Sequence, residues 1–116
     1  MDEEERKKKI DAITAEIEHL QEREKMIPFE VEQMEKARSQ LRARILDATE
    51  NMQEKIKEEK PKASADLVRQ SKELIETAQQ ELRSITRNIR EKINEQLAIP
   101  DKIEALEAEK NRLMYP

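Results

Sequence analysis

Apolar residues recur along this chain at alternating intervals of three and four. From Ile10 the series runs through Ile13, Ile17, Leu20, Ile27, Val31, Met34, Leu41, Ile45, Ala48 and Met52, and Glu24 and Arg38 are its only polar members. With Ile10 as position a and Ile13 as d, this is a heptad held over many turns. That pattern predicts a long helix with a left-handed coiled-coil seam. A second series follows the same rule: Val68, Ser71, Ile75, Ala78, Leu82, Ile85, Ile89, Lys92, Gln96, Ile99, Ile103, Leu106, Lys110 and Leu113.

Between the two series lies Lys57 to Ser64, which reads KEEKPKAS. Lysines suit a helix C-terminus, Pro61 stops a helix, and Ser64 is a capping residue type. The pattern predicts an all-α fold: a long antiparallel helical hairpin, a coiled coil with its tip near residues 58–64. Arm one covers 2–58, the tip 59–64 and arm two 65–114, and the whole of 1–116 forms a single domain. Asp2 is placed to cap the first arm, and Glu3, Glu4 and Glu5 suit its positive end and stand four residues before Lys7, Lys8 and Lys9. Antiparallel pairing sets Ile10 opposite Leu113, Ile45 opposite Ala78 and Met52 opposite Ser71, with Ile56 and Leu67 closing the tip.

Each arm contains an Ile-Pro pair, Ile27-Pro28 and Ile99-Pro100, at matching heights from the tip. A proline inside a helix lacks the amide donor and crowds the carbonyl four residues back. The heptad passes both prolines without a slip, which predicts a kink or a one-turn break at two hinges with the helical path continuing. The alternative is a fold-back into four short helices. Phe29 is placed to plug the first kink.

Composition supports the seam over a globular core. There is no Gly, Cys or Trp, 43% of residues are charged and 35% are apolar. Compact globules need turns, and turns draw on glycine. High charge alone would suit disorder, but the regular apolar spacing argues for helices. The formal net charge of −4 implies no global attraction to nucleic acid or anionic lipid. No apolar run approaches membrane-spanning length, and the acidic start is unlike a secretory leader. The expected location is cytoplasmic.

Motifs for enzyme chemistry are missing. Phosphate-cradling loops need glycine and thiol nucleophiles need cysteine, and the chain has neither. His19 is the single histidine and falls at an outward c position. A lone histidine without cysteine partners is a poor start for a zinc site. The expectation is a non-enzymatic protein with no cofactor, no metal and no small-molecule substrate.

The two flanks of the seam differ. The g flank carries Glu16, Arg23, Glu30, Arg44, Glu58, Glu81, Glu95, Lys102 and Glu109, an ordinary solvated edge with Arg44 and Glu81 as a cross-arm pair. The e flank and its neighbouring b positions hold Ser39, Arg42, Leu46, Thr49, Gln53 and Ile56 on one arm, and Gln79, Arg83, Thr86, Arg90, Ile93 and Leu97 on the other, with no acid among them. The stretches Lys36 to Leu46 and Leu82 to Arg90 are also free of acids and carry most of the arginine. Side by side they form a basic mid-shaft belt.

Arginine suits planar, multi-donor contacts, although its stem also covers apolar surface. The belt therefore reads either as seam covering or as a docking strip. Its candidate partner-binding residues are Arg42, Leu46, Thr49, Ile56, Gln79, Arg83, Thr86, Arg90, Ile93 and Leu97, with Pro28 and Pro100 as hinges. The partner expected is another copy of the chain, an offset one because like belts repel, or another helical or acidic protein. A first alternative is duplex nucleic acid held through Arg83, Arg87 and Arg90, a mode that needs no aromatic platform. A second is a regulator that acts on an enzyme through tip residues such as Glu58, Glu59 and Asp66. The sequence names neither the partner nor the oligomer number.

Overall fold

The computed structural model describes residues 2–58 and 61–116, with the side chains of residues 61–64 left out of the description. Among the described residues there are two α-helices and no strand: α1, Glu3–Glu58, and α2, Pro61–Met114. The chain is an all-α helical hairpin.

Asp2 starts α1 as the sequence suggests. Its Oδ1 accepts the Glu5 amide at 2.8 Å, and its carbonyl accepts the Arg6 amide at 3.1 Å. The side-chain bond satisfies one orphan amide of the first turn, the carbonyl bond is the first of the helical ladder, and the three glutamates that follow suit the helix dipole. The expected Glu–Lys pairs at spacing four do not form among the described residues. The ion pair in this turn is Arg6 to Glu3 at 3.5 Å. At the other end of α1, Lys55 and Lys57 lie in the last turn, where positive charge is favoured.

The start of α2 differs from the expectation. Helix begins at Pro61, so Ser64 lies within it and does not precede it. The reason is proline's fixed φ: it stops a helix that reaches it from upstream but is well suited to the first position of a new one. Of the expected tip, Glu59 and Lys60 fall outside the described residues.

Both helices run through their prolines without interruption. Pro28 lies inside α1 and Pro100 inside α2, which removes the one-turn break and the four-helix alternative. Proline takes one donor from each ladder, at the carbonyls of Glu24 and Gln96. Tertiary packing offsets this locally. Ile27 and Ile99, the residues directly before the two prolines, are the most buried side chains described, at 0% and 1% exposure. Phe29 does not plug a kink; it is 56% exposed, because the residue two beyond a d position points away from the seam.

The chain divides into two compact units. The first joins Met1–Val31 to Glu91–Pro116, and the second is Glu32–Arg90. In the first, Arg23 pairs with Glu95 and Glu30 with Lys92, so numbering rises in α1 as it falls in α2 and the arms are antiparallel. Its buried apolar residues are Ile13, Ile17, Ile27 and Ile99, whereas the second unit has only Leu41 and Ile89 among the described residues. All six fall on the predicted a and d positions. Every other member of the two series is half-buried except Ala48, which is exposed.

Candidate functional site

In the second unit Arg42 of α1 and Leu82, Arg83, Thr86, Arg87 and Arg90 of α2 line one concavity of about 330 Å³. The two acid-free stretches therefore border a common surface, as the sequence suggests. The helix explains the spacing. Arg83, Arg87 and Arg90 stand at i, i+4 and i+7 and share one face, spanning about 10 Å at 1.5 Å per residue.

What marks this face is its composition, four guanidiniums around one concavity with no acid among the lining residues. Arg42, Arg83, Arg87 and Arg90 are exposed, and none makes an ion pair among the described residues. Arg38 lies one turn before Arg42 at a core position. Its Nε is buried and has no hydrogen-bond partner among the described residues. The chain has 27 acids against 23 bases, yet no acid pairs with these guanidiniums. Lys36, at the edge of the same stretch, does find one, in Glu32 at 3.5 Å.

The threonines are satisfied internally. Thr49 Oγ1 donates to the Ile45 carbonyl at 2.8 Å and Thr86 Oγ1 to the Leu82 carbonyl at 2.9 Å. This back-bonding uses the hydroxyl protons within each helix. Leu46 is 58% exposed and Gln79 is exposed, while Ile56 is half-buried. Ile93 and Leu97 belong to the first unit, where both are exposed. The candidate strip is thus distributed over two units. Arg42, Arg83, Thr86 and Arg90 are the members gathered around the concavity, and Arg87 and Leu82 join them.

The first unit carries a different charged cluster, one the heptad reading treats as a solvated edge. Arg23 donates from two guanidinium nitrogens to the Glu30 carboxylate at 2.8 and 3.1 Å, and its Nε reaches Glu95 at 3.0 Å. Lys92 Nζ approaches Glu30 at 3.1 Å and Glu95 at 4.0 Å. All four side chains are half-buried. The hydrogen bonds from Arg23 and then Lys92 hold the Glu30 carboxyl at about 2, well below its ordinary 4.5. The same bonds, from Glu30 first and then Glu95, push the Arg23 guanidinium still higher than usual. A cluster with every charge matched is a structural clamp between the arms. By contrast Arg44 and Glu81, the cross-arm pair expected from the heptad, make no ion pair among the described residues.

Acids and bases are unevenly divided. The first unit holds 16 Asp and Glu against 10 Lys and Arg, and the second 11 against 13, a net of −6 and +2. No group of three or more His, Cys, Asp or Glu is arranged to hold a metal ion among the described residues. No helix in that set is long and apolar enough to cross a membrane. At the tip, Asp66 is engaged with Arg69 at 3.6 Å. No protein-family model, no characterised protein and no solved structure matches the chain.

Proposed function

We propose that the chain is a non-enzymatic, cytoplasmic interaction module, and that it docks a protein partner on the acid-free face of its second unit. One observation carries this reading: four exposed arginines, none of them ion-paired among the described residues, gathered around one concavity in a chain with surplus acid. Seam covering would explain the arginine stems but not the gathering of four guanidiniums from two helices around one concavity with no acid in its lining. The clamp in the first unit shows that this hairpin does pair half-buried charges where structure calls for it.

Exposed ion pairs each contribute about 0–1 kcal/mol, so the guanidiniums set orientation and encounter rate more than affinity. The apolar part of the contact falls to Leu46 and to the carbon stems of the arginines. A partner with carboxylates among small apolar residues fits this face. Duplex nucleic acid is the second reading, favoured by the same unpaired guanidiniums. Sedimentation over a concentration series at two salt levels, with and without duplex DNA, tests both. A monodisperse monomer that ignores DNA and acidic helical peptides alike would refute this function.

A further inference from the structure

Resting on that reading, the geometry points to a specific occupant. We propose that the arginine face of one copy receives the acidic outer face of α1 in the first unit of a second copy. That outer face carries Asp11, Ala15, Glu18, Glu22 and Met26, with the exposed Lys8 and Lys25 at its two ends. All five are exposed and lie within one helical stripe, turned away from the seam residues Ile13, Ile17 and Ile27. None of its three acids makes an ion pair among the described residues.

The two faces match in repeat, charge and texture. Asp11 and Glu18 are seven residues apart, as are Arg83 and Arg90, so both ladders step about 10 Å along their helices. Ala15, between the acids, lets a helix approach closely. Met26 at the end of the acidic stripe and Leu46 beside the arginines are exposed apolar residues in want of cover. The charge division, −6 in one unit and +2 in the other, favours unlike units meeting and like units avoiding each other. The second unit, with two buried apolar residues among those described, is also the one with more to gain from being covered. Nucleic acid would use the guanidiniums but leave Leu46 without a counterpart. The contact is heterologous, one patch against a different patch, so it either closes into a ring of copies or propagates along an open row.

The test is a charge swap read by sedimentation equilibrium. The full chain should exceed its monomer mass of 13.7 kDa as concentration rises. Its association should weaken at least tenfold between about 0.05 and about 0.5 M salt. Arg83→Glu with Arg87→Glu should be monomeric, as should Asp11→Arg with Glu18→Arg. Mixing the two variants should restore association, because each then offers the face the other lacks. All positions changed are exposed, and helicity by circular dichroism checks folding. If a reversed variant loses helicity, the neutral pair Arg83→Gln and Arg87→Gln replaces it and should weaken association without abolishing helix.

A wild-type chain that stays at monomer mass throughout overturns the second-copy assignment. So do reversed variants that associate like wild type, or a mixture that stays monomeric. The docking reading fails separately. A monomeric wild type that binds a Glu-rich helical peptide through Arg83 and Arg87 keeps the face and changes its occupant. One that binds only duplex DNA moves the face to nucleic acid, and one that binds neither removes the face altogether.

Discussion

Replacing Ile27 by alanine tests the seam where it is tightest. Ile27 is fully buried, at 0% exposure, directly before a helix-interior proline. The substitution removes three carbons, a transfer loss of about 2.4 kcal/mol at roughly 0.8 kcal/mol per methylene. The cavity left behind adds to this, and measured Ile-to-Ala costs in cores run from about 2 to about 5 kcal/mol. A two-helix seam lies near solvent and can close part of the gap, which puts the expectation in the lower half, about 2–3 kcal/mol. Unfolding entropy of about 2.1 cal/mol/K per residue converts this to a fall in Tm of roughly 10 °C for a chain of this length. Thermal melts by circular dichroism at one fixed protein concentration provide the assay, because association would otherwise shift the midpoint. Leu74→Ala is the control: Leu74 is apolar too but 72% exposed, so its loss should stay within about 0.5 kcal/mol. If Ile27→Ala costs no more than Leu74→Ala, the seam at the Ile-Pro pairs is not what holds the first unit together.

Two further outcomes follow from the first unit. The Glu30 carboxyl is held at about 2 from an ordinary 4.5, so its contribution is present above the unfolded value and drains away as pH falls from about 4.5 towards 2. Wild type should therefore melt well above Glu30→Gln near neutrality, with the gap closing by about pH 2; a gap independent of pH would rule out the clamp. Pro28→Ala and Pro100→Ala return a donor to the carbonyls of Glu24 and Gln96, and each should raise stability in urea titrations by up to about 3 kcal/mol. Unchanged or lowered midpoints would mean that the prolines relieve a strain the continuous helices do not reveal.

The seam was legible because a heptad is a long-range pattern. Twenty or more positions must agree on one face, and a single odd member such as Glu24 does not disturb it. Asp2 was legible for a local reason, since a carboxylate ahead of a helical run has few better uses than its amides. The clamp was not. Glu30 and Glu95 look like ordinary flank charges when each arm is read separately. The signal lay in the register: the alignment that would pair Arg44 with Glu81 also sets Glu30 against Glu95, and two acids meeting across a seam call for counter-charge. Arg23 and Lys92 provide it. The start of α2 was misplaced because Pro61 was read as a stop alone, although proline is equally a first helical residue. Exposure of Ala48 depends on how closely the arms approach, which no one-dimensional pattern contains, whereas the outward f position of Phe29 was already in the heptad.

Arg38 ties the thin core of the second unit to its arginine face. A buried donor without a partner costs about 1–3 kcal/mol, and the unit that carries this burden has two buried apolar side chains among its described residues. A structure-only account would place an apolar residue at that a position, as the heptad does at Ile17 and Ile45. Keeping arginine there extends the row of guanidiniums one turn further along α1, from Arg42 into the seam. A carboxylate docked beside Arg42 would have the half-buried Arg38 within one turn of it as well as the exposed guanidiniums. Anything that binds the folded unit and not the unfolded chain adds to its stability in proportion to the logarithm of its concentration. If the proposed face is occupied, the second unit gains stability by an increment that the partner's affinity and concentration set, whatever the strength of its core.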